Sequence, residues 1–210
     1  MYGQLQHEHT LRHRGFCIHY PLIAKLHASQ YDKLILVAPT LSIIIIGAGT
    51  GGICTGIQLQ KAGITDFIIL EAAPGIGGTW WHNRYPGAEC DVPSHLYSFS
   101  FEPKRDWTRP YARQPEILGY MQHCVDKYDL MSHIELNTRV ESARWQQENR
   151  HWSLTLSSGN TRQSQFLISG VGMFCDLSWP DVLGIDTFEG TSFHTGDWNC
   201  LLYTSDAADE

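Results

Sequence analysis

The stretch LSIIIIGAGTGGICTGIQLQKAGITDFIILE, residues 41–71, decides the fold. It opens on a continuous apolar run, Ser42 to Ile46, of the length expected for a strand buried on both faces. Gly47-Ala-Gly49-Thr-Gly-Gly52 then makes a turn, a helix follows to about Lys61, Gly63 stops it, and a second β-rich run spans Phe67 to Leu70. Strand, glycine turn, helix and strand form a βαβ unit, the context in which a G-x-G-x-x-G pattern gains meaning. Gly47 allows the tight turn, Gly49 lets backbone approach a pyrophosphate, and Gly52 lets helix and strand pack closely. The first N–H groups of the helix face the phosphates. Glu71 closes the second strand about 20 residues on, where a carboxylate accepts from a ribose hydroxyl. The bland alternative is a glycine turn with no ligand; the order of these features favours a dinucleotide.

Downstream of Glu71 no second βα unit follows at once. A long polar and aromatic segment, GGTWWHNRYPGAECDVPSHLYSFSFEPKRDWTRPYA, stands there instead, and a loop of that length inside a compact domain is usually functional. Gln114 to Tyr128 carries Ile117, Leu118, Met121 and Val125 at helical spacing, with Pro115 near its start, and predicts an amphipathic helix. Ile134 to Leu136, Val140 to Trp145, Trp152 to Leu156 and Gln165 to Ser169 read as short strands, the middle ones separated by turn-rich ENRH and SSGN. They predict a small antiparallel meander lying over the helix side of a parallel sheet. The fold class expected is α/β: a Rossmann-like βαβ domain with a parallel sheet and a small antiparallel β-meander, incomplete at the C-terminus.

Composition narrows the partners. The 210 residues are 42% hydrophobic and 18% charged, an ordinary globular balance, and the formal charge of −7 offers no basic patch for nucleic acid or anionic lipid. The run Leu41 to Ile46 is too short to span a bilayer. The six cysteines (Cys17, Cys54, Cys90, Cys124, Cys175 and Cys200) form no C-x-x-C pair and no zinc spacing, which points to reduced thiols in a cytoplasmic protein with no metal site. His7, His9, His13, His19 and His27 crowd residues 1–27 at irregular spacing. A metal-binding tract is conceivable from composition alone, but a poorly ordered or misassigned leader is the expectation.

From about Leu41 to Trp198 the chain resembles the class B flavoprotein monooxygenases, most closely the Baeyer–Villiger monooxygenases. The likeness rests on Glu71 followed by Gly77-Gly78-Thr79-Trp80, on YPGAECD ending in Cys90-Asp91, and on YSFSF beginning at Tyr97. By this resemblance FAD and NADPH are the cofactors. Gly47, Gly49, Gly52 and Glu71 would hold the ADP half of FAD, and Gly78, Thr79 and Trp80 would lie along it. Asp91 matches a carboxylate beside the flavin that positions an arginine over the reactive ring, and Tyr97 matches an aromatic position near the isoalloxazine. Alternatives stand beside each role: a turn cap for Asp91, and ordinary core aromatics for Trp80, Trp81 and Tyr97.

The segment FEGTSFHTGDW fills every fixed position of F-x-G-x-x-x-H-x-x-x-W with Phe188, Gly190, His194 and Trp198. This matches the Baeyer–Villiger fingerprint, whereas related N-oxygenating enzymes tend to end it with Tyr or Phe. The resemblance assigns it to the hinge between FAD and NADPH domains, with His194 acting on domain motion rather than donating protons; a satisfied loop histidine is the alternative. Asn199 and Gly170-Val171-Gly172 depart from the family pattern and leave the subgroup open. Cys200 to Glu210 resembles a translation of a sequencing-library transposase adapter. The organisation expected is therefore an N-terminal extension (1–40), the N-terminal part of an FAD domain (41–170), a linker with the fingerprint (171–199) leading to an NADPH domain beyond, and an adapter-derived tail (200–210). The implied activity is insertion of one oxygen atom from O2 into a ketone, giving an ester or lactone. The alternatives are an N- or S-oxygenating flavin monooxygenase and a catalytically inert FAD-binding fragment.

Overall fold

The computed structural model describes residues 9–13, 16–20, 43–174 and 177–199. Its strands are β1 (His9–His13), β2 (Phe16–Tyr20), β3 (Ile43–Ile46), β4 (Phe67–Leu70), β5 (Ile134–Glu135), β6 (Val140–Gln146), β7 (His151–Leu156), β8 (Thr161–Ser164) and β9 (Phe166–Ser169). The helices are α1 (Thr50–Lys61), α2 (Thr79–His82) and α3 (Gln114–Lys127). Four strands form a parallel sheet in the order β5-β4-β3-β9.

The four isoleucines of β3 are all buried, and a strand alternates its side chains between two faces. Ile43 and Ile45, with Phe67 and Ile69 of β4, meet Ile53 and Ile57 of α1 and Ile117, Met121 and Val125 of α3. Ile44, Ile46 and Leu70 point the other way, onto Val140 and Ala143 of β6 and Leu154 and Leu156 of β7. The meander therefore covers the face opposite the helices, which corrects the expectation that it lies on the helix side. The reason is in β3 itself: helices cover one isoleucine pair, and the other pair would face water without the meander.

The outer two of the four predicted C-terminal strands also change place. Ile134–Glu135 pairs with β4 and Phe166–Ser169 with β3, both parallel, while the antiparallel run is β6-β7-β8. The strand Thr161–Ser164 is too polar to stand out in the sequence and forms by hydrogen bonding along β7. Regular structure also precedes Leu41: β1 and β2 pair antiparallel, and β2 adds in parallel to the edge that β6 leaves open. Other parts of the extension, with His7 and His27, and the 200–210 tail lie outside the described residues.

The long segment after Glu71 is anchored rather than loose. Tyr120 of α3 accepts from the Phe99 N–H and donates to the Glu102 carbonyl, both at 2.7 Å. Burial pushes its phenol well above the ordinary range. The Lys127 ammonium, 2.8 Å from Glu102, holds that carboxyl below its usual range. Lys61 at the end of α1 lies over the Phe101 ring, 4.1 Å from its centre, and so ties α1 to the same segment. Among the described residues no helix is long and apolar enough to cross a membrane.

Ile45 is fully buried between β3's neighbours and α1. Ile45→Ala should cost about 2–5 kcal/mol of stability. Urea unfolding should show this as a lower midpoint at an unchanged slope.

Candidate functional site

The strand order sets the site. From β3 the chain proceeds to β4 and β5 on one side, while β9 returns on the other, so a topological switch point falls between β3 and β9. In open α/β sheets, ligands bind outside the carboxyl ends of strands at such a point. A cleft of about 860 Å³ opens there, within the range of small-molecule sites. Its walls come from the glycine turn, the Glu71–Pro74 stretch, Gly78 and Thr79 with Trp81 and His82, the start of β6, and the residues after β9.

Backbone contacts explain the glycines. Gly47 has φ +96°, and a Cβ there would stand 2.5 Å from the Gly170 carbonyl oxygen. A Cβ on Gly52 would lie 1.8 Å from the Gly47 oxygen, so the first and third glycines let the turn fold onto the helix. Gly49 differs. Its φ of −80° suits any residue, and a Cβ would meet only Gly78 Cα, at 3.5 Å, and the Gly78 nitrogen, at 3.8 Å. Gly78 in turn has φ +55°, and its own Cβ would approach Gly49 Cα to 2.9 Å. These two glycines narrow the cleft where α1 begins. Gly49 gives α1 no side-chain cap, so the helix's first N–H groups are left to the cleft.

Glu71 is buried at 6% exposure, and its carboxylate accepts from the N–H groups of Ala48 at 2.6 Å and Ala73 at 2.8 Å. A carboxylate has about four acceptor sites, so lone pairs remain for a ligand hydroxyl. The carboxylate thus does two jobs: it braces the glycine turn against β4 and lines the cleft.

The residues singled out in the sequence separate into three places. Gly47, Gly49, Glu71, Gly78 and Thr79 line the cleft, and Gly52 lies behind it in α1. Trp80, 8% exposed, turns into the core and donates from Nε1 to the Tyr97 hydroxyl at 2.8 Å, its carbonyl accepting from Gln114. Burial pushes the Tyr97 phenol up, although the Trp80 hydrogen bond opposes this and Cys90 and Asp91 add to it. Asp91 is exposed beside Tyr97, outside the cleft.

His194 is not among the residues that line the cleft. Its Nδ1 accepts from the Gly196 N–H at 3.0 Å, and its ring stands edge-on to Trp179, 5.6 Å between centres. The fingerprint nonetheless touches the aromatic segment: Trp198 packs between Phe193 at 4.9 Å and Tyr85 at 5.7 Å. Gly190 lies under the Phe188 ring, which a Cβ there would displace.

Sequence reasoning missed His82, Arg139 and Gly170 as cleft residues, and the core-aromatic alternative it held for Trp81 fails, since Trp81 lines the cleft. Gly75 could have signalled Trp81, because a Cβ at Gly75 would meet the Trp81 ring at 2.2 Å. Arg139 carried no local signal; it reaches the cleft through sheet packing. The glycines and Glu71 together fit the ADP half of a dinucleotide such as FAD: two closely placed glycines, an uncapped helix start and a carboxylate follow one another along one wall.

Comparison with known proteins agrees with this geometry. The family model described as pyridine nucleotide-disulphide oxidoreductase matches residues 44–201. A Baeyer–Villiger monooxygenase from Streptomyces coelicolor is 40% identical over 157 residues, covering 75% of this chain and 30% of the relative. A phenazine N-monooxygenase from Lysobacter antibioticus is 36% identical, covering 74% of this chain and 29% of the relative. Among solved structures, OTEMO in complex with FAD and NADP aligns with a TM-score of 0.70 at 37% identity, covering 77% of this chain and 31% of that one. The chain thus spans about 30% of the length of the curated relatives it matches. It belongs to the pyridine nucleotide-disulphide oxidoreductase family and, within it, to the class B flavin monooxygenases, with likeness to both Baeyer–Villiger and N-oxygenating members.

Proposed function

We propose that this chain is the flavin-holding part of an FAD- and NADPH-dependent monooxygenase that inserts one oxygen atom of O2 into a ketone, giving an ester or lactone. The observation that carries this reading is the cleft at the switch point, with Gly49 against Gly78 and Glu71 beside them. Relatives named as Baeyer–Villiger monooxygenases support the reaction class. The similarity to OTEMO, solved in complex with FAD and NADP, supports the cofactors. Free thiols at Cys54, Cys90 and Cys124 suit a cytoplasmic setting.

When bound, FAD supplies the redox chemistry that couples NADPH oxidation to O2 activation. The protein's residues hold and shield. The N–H groups at the start of α1 bind the diphosphate, and Glu71 accepts from the ribose with its remaining lone pairs. Thr79 and Trp81 also line the cleft, the indole excluding water. Trp80 fixes Tyr97 through its N–H, while burial keeps the phenol protonated with its own proton to donate. Asp91 acts as a positioning residue for an arginine contributed by a longer chain. His194 acts through the loop it braces rather than by proton transfer.

A second reading, oxygenation of an aromatic nitrogen, is favoured by the likeness to the phenazine N-monooxygenase. Assaying the native-length gene product with cyclic ketones and with N-heteroaromatics separates the two. A chain that binds flavin but oxidises NADPH with neither substrate class would leave only a binding role.

The purified 210-residue chain should carry or take up FAD, visible as flavin absorbance. Gly49→Val should keep the native circular dichroism yet bind FAD at least about tenfold more weakly, because its methyls fill the space of the diphosphate. Undiminished flavin absorbance in that variant would remove the assignment. Gly52→Ala should behave differently and unfold, since its Cβ collides with the Gly47 oxygen. In the native-length enzyme, Asp91→Ala should lower kcat roughly a hundredfold with FAD affinity changed less than about threefold. Equal loss of both would make Asp91 structural.

A further inference from the structure

The geometry points to Arg139 as the adenine-contacting residue of the cleft, its guanidinium lying against the face of the base in the ADP half of FAD. This assignment rests on the flavin-site reading and extends it to a residue that the glycine motif does not reach.

Hydrogen bonds give the order of groups along the cleft. The Ala48 N–H donates to Glu71 Oε2 at 2.6 Å, which sets the carboxylate against the glycine turn and the start of α1. On the other side, the Thr138 N–H donates to the Glu71 carbonyl at 2.7 Å and the Asn137 N–H to the Ala73 carbonyl at 3.1 Å. With the diphosphate at the helix start and the ribose at Glu71, the base falls in the part of the cleft lined by Ala72, Ala73, Pro74 and Arg139, on two segments joined by these backbone bonds. The first three residues offer a small, largely apolar surface, and a planar base between them and a planar guanidinium is stacked on both faces.

Arg139 is built to present its side chain there. Asn137, at φ +55°, turns the chain into β6. The Arg139 carbonyl accepts from the Ser157 N–H at 3.0 Å, and the next residue, Val140, is buried against the parallel sheet and paired with Leu156. Arg139 therefore stands at the entry to β6, exposed, and lines the cleft beside Thr138, Val140 and Glu141. Arg162 nearby is held by Glu135 at 3.1 Å, and Arg109 and Arg113 face Glu89, whereas Arg139 is in no such pair with a described carboxylate. His82 also lines the cleft, but on α2 next to Gly78 and so beside the diphosphate end, which leaves Arg139 to the base.

The test is calorimetric titration of the 210-residue chain with FAD and with ADP, at low salt and at about 0.5 M salt, for the unaltered protein, Arg139→Ala and Arg139→Lys. Circular dichroism serves as the fold control. Stacking on adenine predicts that Arg139→Ala weakens FAD and ADP by the same factor, roughly three- to thirtyfold. The loss should persist at high salt, and Arg139→Lys should recover only part of it. Full recovery with Lys, together with a loss that vanishes at high salt, would mean a charge contact to phosphate and would overturn the assignment. Unchanged affinity in Arg139→Ala would overturn it while leaving the flavin site intact, and an unaltered chain that binds neither FAD nor ADP would remove both.

Discussion

The structure depends on a close approach of backbone to backbone at the end of β3. The Gly47 oxygen occupies the space a side chain on Gly52 would need, and Gly47 itself sits at φ +96° against the Gly170 carbonyl. A strand end, a helix start and the end of a neighbouring strand meet there with no side chain between them. The Gly170 N–H donates to the Ile46 carbonyl and the Gly47 N–H to the Leu70 carbonyl, both at 2.8 Å, so β9, β3 and β4 are locked at their carboxyl ends. Any Cβ added at Gly47 or Gly52 would push these elements apart and close or distort the cleft above them. Among the three motif glycines, only Gly49 is free of this constraint in the protein itself, which is why its glycine points to a ligand and the other two point to packing.

The two faces of the parallel sheet then divide the work. One face buries isoleucines under α1 and α3 and carries the glycine turn. The other buries them under β6 and β7, and in doing so brings Thr138 to Glu141 up to the cleft rim. The Arg162 to Glu135 contact, with Thr138 also donating to Glu135 at 3.1 Å, ties the meander to the edge of the parallel sheet. The binding cleft is thus the seam between a sheet and its cover.

The aromatic segment after Glu71 has a role that resemblance alone would misplace. Much of it is scaffolding: Trp80 bonds Tyr97, Phe99 stacks on Phe101, and Tyr120 fastens both ends of that turn to α3. Trp81, its immediate neighbour, reaches the cleft instead, because the Gly75 face leaves room for its ring. The fingerprint is joined to this scaffold through Trp198 and Tyr85, so a change in the fingerprint loop has a direct contact to the YPG turn.

Residues 41–71 by themselves determined the βαβ unit, the glycine turn and the acid at the second strand's end, because each is set by local periodicity and by the φ that only glycine adopts. The family likeness was legible in the same way, from side chains at fixed offsets along one chain. Tertiary structure decided which face of the sheet the meander covers, that Ile134–Glu135 and Phe166–Ser169 join the parallel sheet, and that Trp81 and Arg139 line the cleft while Trp80 does not. Apolar runs such as FLIS at β9 are equally compatible with a parallel or an antiparallel neighbour. The choice falls to whichever exposed edge and uncovered apolar face the rest of the chain leaves, and that is a property of the assembled sheet rather than of any short stretch of sequence.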